Sequence, residues 1–135
     1  MAQQQGSVLV VEDLELSRKL LTGQLQSLGF THIVEATSGA AALECLAELR
    51  PVPVLVCLDL TLPDISGYDV CEMIRATPVL QGIPVLMVSA RTQTMDRAQA
   101  EEVGASGYLM KPFTEEELRH QLERVLTYHP WKKEA

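Results

Sequence analysis

Apolar residues follow this chain in two rhythms. Five short runs are rich in them: Val8–Val11, His32–Ala36 (interrupted by Glu35), Val54–Leu58, Pro84–Val88 and Gly107–Met110. Unbroken apolar runs of this length predict strands covered on both faces; the second is the least apolar and suits a sheet edge. Pro84 stands at the first position of its strand, where a missing N–H donor is tolerated. Between the runs the spacing turns helical. Leu14, Leu21, Leu25 and Leu28 share one face, and Gly29 stops that helix. Ser38 and Gly39 open an Ala- and Leu-rich helix to about Leu49, closed by Arg50 and Pro51, and Tyr68–Ala76 forms a short helix before Thr77 and Pro78. Thr94–Val103 predicts a helix with few large apolar residues (Met95, Ala98, Val103), hence a weakly anchored one. Thr114 to Glu117 is a capping box, followed by the apolar face Leu118, Leu122, Val125 and Leu126.

The order is strand then helix, five times over. Such a chain predicts an α/β fold, a five-stranded parallel sheet doubly wound in flavodoxin-like fashion, with right-handed crossovers. Ligands in open sheets of this kind gather outside the carboxyl ends of the strands. The residues there are Glu12 and Asp13, Asp59, Ser89 and Lys111. The second strand contributes nothing comparable.

Composition narrows the reading. With 135 residues and 47% hydrophobic content the chain suits one domain, and at 4% aromatic its core is aliphatic. A net charge of −7 argues against a nucleic-acid surface, which needs clustered Lys and Arg; the pair Lys132–Lys133 reads as a solvated tail. No apolar run is long enough to span a bilayer, and the N-terminus lacks a signal pattern. Cys45, Cys57 and Cys71 have neither metal-ligand spacing nor an even count, so they read as apolar residues of a reducing cytoplasm.

Three carboxylates in one small site raise each other's pKa values and call for a counter-charge; a hard divalent cation such as Mg2+ meets that need, with Lys111 adding a further positive charge. A metal beside a carboxylate, with a cation and a hydroxyl opposite, is what phosphoryl transfer requires, and an Asp can serve as its nucleophile. Asp59 is the candidate nucleophile, Glu12 and Asp13 the metal holders, and Ser89 a donor to a phosphoryl oxygen beside the small Ala90. For Asp59 alone the plainer reading is a cap or turn residue. Asp64 is either a fourth acidic ligand or a turn residue, followed by Gly67 where a positive φ is expected. His32, His120 and His129 read as surface residues, and Trp131 either packs the tail or lies free.

The strings VLVVED at Val8–Asp13, LDLTLPDISGYDV at Leu58–Val70, PVLMVSA at Pro84–Ala90 and GASGYLMKPF at Gly104–Phe113, with the capped last helix, resemble the receiver domain of two-component response regulators. The resemblance covers Ser7 to about Thr127, so the receiver domain is expected over 7–128, with short polar tails at 1–6 and 129–135. It implies that Asp59 is the phosphoacceptor. It assigns Mg2+ to Glu12, Asp13, Asp59 and the Thr61 backbone carbonyl, the phosphate contact to Lys111, the switch roles to Ser89 and Tyr108, and a cis peptide before Pro112. Glu12 departs from an Asp–Asp pair. Tyr108 also reads as a half-buried aromatic on an edge strand.

The resemblance further implies a histidine kinase or phosphotransfer protein as donor and a downstream protein target. The target would bind the face of the fourth helix, fifth strand and fifth helix, with a monomer or a weak phosphorylation-dependent dimer. Thr61 and Arg91 would border the phosphoryl group, and Arg91 is expected to slow water attack. A stand-alone regulator, a phosphorelay intermediate and a phosphorylation-independent docking domain are the open alternatives. A phosphatase would carry a second Asp where Thr61 stands, and a nucleotide binder a Gly-rich loop after the first strand. The chain is therefore expected to be a signalling phosphoacceptor, limited to self-phosphorylation and autodephosphorylation, rather than an enzyme.

Overall fold

The structure is a computed structural model that describes residues 4–90 and 97–127. Ten elements alternate along it: β1 Gln4–Val11, α1 Glu15–Ser27, β2 Phe30–Ala36, α2 Gly39–Glu48, β3 Leu55–Asp59, α3 Gly67–Ala76, β4 Val85–Ala90, α4 Arg97–Glu102, β5 Gly107–Lys111 and α5 Glu115–Thr127. The strands form one parallel sheet in the order β2-β1-β3-β4-β5. The first crossover therefore runs to one side and the later ones to the other. The carboxyl ends of β1 and β3 meet where the order reverses, which is where a doubly wound sheet leaves a crevice.

Strand alternation splits the core in two. Val8 and Val10 with Leu55, Cys57, Leu86 and Val88 face α1 and α5, meeting Leu21, Leu25, Leu118 and Leu122. Leu9 and Val11 with Val56, Leu58, Val85 and Met87 face α2 and α3, meeting Ala42, Leu46, Val70 and Ile74. All five residues of β3 are buried, as its unbroken apolar run requires of a central strand.

Caps behave largely as the sequence indicates. Ser38 accepts from the Ala41 N–H at 3.0 Å, and Thr114 and Glu117 exchange bonds of 2.9 and 3.0 Å in a capping box. Gly29, at φ 103°, follows the last turn of α1 in the left-handed conformation that ends many helices.

Three expectations need correction. β1 begins at Gln4, so residues 4–6 belong to the sheet rather than to a tail; Gly6 at φ 87° accommodates the register irregularity between Gln4 and Ser7. Leu14 is not on the buried face of α1. It is the extended N-cap residue and is 60% exposed. Ser89, Ala90 and Lys111 lie inside β4 and β5 rather than past them, because parallel pairing of Ser89 with Met110 and Ala90 with Lys111 carries the ladder further. The readings for Met95, Arg91, His129, Trp131 and Lys132–Lys133 lie outside the described residues.

Candidate functional site

β3 delivers Asp59 at its last position, paired in register with Val88. The carboxylate is held from its own loop, where the Thr61 N–H donates to Oδ1 at 3.1 Å. The chain then turns through Pro63 and Asp64 into α3, and Gly67 N donates to Leu60 O at 2.8 Å. Gly67 has no positive φ. It is glycine because a Cβ there would lie 2.4 Å from the Asp59 carbonyl oxygen and 2.9 Å from Leu60 Cα, so α3 starts in direct contact with the strand that carries Asp59. The expected φ role is thus replaced by close approach.

β1 delivers Glu12 and Asp13 beside it. Carboxylate oxygens of Glu12, Asp13 and Asp59 lie within 4.8 Å of one another. Glu12 and Asp59 are buried, whereas Asp13 is exposed. Lys111 at the end of β5 completes the group: its ammonium contacts Glu12 Oε1 and lies 3.6 Å from Asp59 Oδ2. Burial pushes the Glu12 carboxyl above its ordinary range, and hydrogen bonding with Asp59 raises it further against the opposing pull of Lys111. Three carboxylates at this spacing form an all-oxygen, hard donor set, which suits Mg2+ and not zinc. A cavity of about 210 Å3 lined by Asp13, Asp59, Thr61, Ala90 and Lys111 opens above the cluster.

The other expected residues lie close by in different settings. Ser89 is fully buried, one residue beyond the strand partner of Asp59, and its hydroxyl donates to Ala90 O at a long 3.4 Å. Tyr108 pairs with Met87 on the edge strand β5, half-buried against the α2–α3 side of the core. The Lys111–Pro112 peptide is cis. Asp64 is not part of the acidic group. Its two oxygens accept from the Ala40 and Gly39 N–H groups at 2.8 Å each, capping α2, and these backbone bonds hold its carboxyl below the ordinary range.

Two residues near the site carry no motif. Arg18 Nη1 donates to Glu12 O at 3.1 Å, and its Nε lies 3.6 Å from Glu35 Oε1. The strand β2 thus reaches the site indirectly, where the sequence indicated no contribution.

The sequence model of the response regulator receiver domain matches residues 8–123. The chain belongs to that family. This receiver domain is 42% identical over 111 residues to the DNA-binding response regulator MtrA of Mycobacterium leprae, covering 82% of this chain and 47% of that one. It is 34% identical over 118 residues to the chemotaxis protein CheY of Pseudomonas aeruginosa, covering 87% and 94%. The chemotaxis response regulator CheY4 of Vibrio cholerae superposes with a TM-score of 0.81 at 28% identity, over 91% of this chain and all of that one. The receiver domain thus spans about half the length of the MtrA relatives and nearly all of CheY. It is a response regulator receiver domain of two-component signalling, with the doubly wound fold of its relatives. Among the described residues, no helix is long and apolar enough to cross a membrane.

Proposed function

We propose that Asp59 accepts a phosphoryl group from a phosphohistidine of a kinase or phosphotransfer protein. A carboxylate oxygen of Asp59 attacks phosphorus, the N–P bond breaks, and its electron pair returns to the imidazole nitrogen, which takes up a proton. The product is an acyl phosphate. The observation that carries this reading is the placement of Asp59 at the end of β3 within one cluster of carboxylates, beside the Lys111 ammonium.

Each side chain has a definable part. The Thr61 N–H fixes one oxygen of Asp59 and so orients the carboxylate. Lys111 moves from its two carboxylate partners to the incoming phosphoryl oxygens, a point charge on a flexible stem. Glu12, Asp13 and Asp59, with the Thr61 carbonyl, would hold Mg2+, which supplies neutralisation of the charge on the transferring group.

Phosphorylation then biases a pre-existing equilibrium. The new oxygens attract the Ser89 hydroxyl, β4 shifts at its carboxyl end, and Tyr108 responds on the neighbouring strand. The face of α4, β5 and α5 is the surface offered to a protein target. With a net charge of −7 the receiver domain is not itself a DNA reader. It works in the cytoplasm as a signalling phosphoacceptor without turnover of external substrates, as a monomer or a weak phosphorylation-dependent dimer. The full set of Glu12, Asp13, Asp59 and Lys111 favours phosphorylation over docking alone.

Acetyl phosphate tests the chemistry without a kinase. With Mg2+ the protein is expected to gain one hydroxylamine-labile phosphoryl group, and Lys111→Ala to gain far less at the same donor concentration. A label stable to hydroxylamine, or equal labelling of both proteins, would count against an acyl phosphate at this site.

A further inference from the structure

Consecutive residues of a strand point to opposite faces. Glu12 and Asp13 nevertheless bring their carboxylates to one cluster with Asp59. They can do so because β1 ends at Val11, and the chain turns through residues 12–14 before α1 begins at Glu15. The turn has its own ties. Glu12 N donates to Ala36 O at 3.0 Å and Leu14 N to Glu12 Oε2 at 3.2 Å. The carbonyls on its far side are taken by one group: Arg18 Nη1 donates to Glu12 O at 3.1 Å and reaches Asp13 O at 3.5 Å. The guanidinium is itself held by Glu35 on β2, 3.6 Å from Nε, and the other Glu35 oxygen accepts from Thr22 Oγ1 at 3.0 Å. The Arg18 side chain is only 14% exposed, so water competes weakly for these bonds.

We propose that Arg18 is a positioning residue for the cation site: it clamps the turn that sets the two consecutive carboxylates on one side. The proposal rests on the reading that the acidic cluster holds a divalent cation. Glu12 is fixed by burial as well, but Asp13 is exposed and depends on its backbone for its position. Without the guanidinium the two carbonyls rotate toward water and the Asp13 carboxylate leaves the cluster. Nη1 serves both carbonyls while Nε faces Glu35, so the clamp uses two nitrogens of one planar group, an anchoring that the single ammonium of a lysine lacks.

This role has the opposite sign to that of a mere nearby charge. A cation beside a cation site weakens binding, so removing it would tighten binding. Titration with Mn2+, reading free Mn2+ by electron paramagnetic resonance, separates the two on the folded full chain. Arg18→Gln and Arg18→Lys are both expected to lose about tenfold in affinity, in the range seen when groups behind metal ligands are removed. Tighter or unchanged binding in Arg18→Gln, or parent affinity in Arg18→Lys, would overturn the clamp while leaving the cation site in place. Absence of Mn2+ binding by the parent would remove the cation reading and the clamp together. Arg18→Lys keeps the charge and most of the stem, so it decides the matter even where Arg18→Gln folds poorly.

Discussion

Gly67 shows how much of this site is set by one missing atom. With α3 seated against the Asp59 and Leu60 backbone, Gly67→Ala is expected to cost about 1–3 kcal/mol, as overpacked positions do. It should also slow phosphorylation, because the strand end carrying Asp59 must shift; urea unfolding and donor-driven labelling measure the two effects. Asp64 offers a pH-dependent counterpart. Its backbone bonds to α2 lower its pKa in the folded protein, so it stabilises the fold above the ordinary aspartate range, and that contribution fades as pH falls through the lowered value. Asp64→Asn should therefore unfold at lower urea than the parent at neutral pH and match it in strong acid. At this scale the legible residues were those that end a strand: Asp59, Glu12, Asp13 and Lys111 announce themselves by interrupting or following apolar runs. Arg18 did not, since its partners are backbone carbonyls and a glutamate from a strand that looked uninvolved. Gly67 carries the local signature of a turn glycine, because close approach between elements leaves no mark in a local pattern.

Among the elements, α4 is the shortest helix described, six residues with Ala100 buried, and its C-terminal end is held by α3. Cys71 Sγ donates to Val103 O at 3.4 Å and Arg75 Nε to Gly104 O at 2.9 Å, two side chains one helical turn apart. Arg75 is buried and also donates to Ile83 O, Gln81 O and Ser106 Oγ, tying α3 to the turns before β4 and β5. Arg75→Met leaves several of these acceptors unsatisfied and should lower stability by about 3 kcal/mol, read from the urea midpoint. Helix and strand order was readable from periodicity because the central strands β3 and β4 are apolar on both faces, whereas the edge strand β2 is half polar. Strand ends were less so: Ser89 and Lys111 are polar, yet parallel pairing keeps them in the ladder, and polar Gln4–Gly6 joins β1 through its backbone alone.

For the whole molecule, strand order does what no single residue can. Placing β1 between β2 and β3 brings residues 12, 13, 59 and 111 together from the ends of three strands, and the two apolar layers hold those ends in place. The doubly wound class followed from the alternation of elements. The residue-by-residue register between neighbouring strands did not, because it is a property of packed layers. The central claim is that this convergence makes Asp59 a phosphoacceptor. Intact-mass measurement after incubation with a small phosphodonor, with and without Mg2+, tests it on the parent and Asp59→Asn. The account predicts a single Mg2+-dependent phosphoryl adduct on the parent and none on Asp59→Asn; an adduct of equal yield on Asp59→Asn, or no adduct on the parent with any donor, would contradict it.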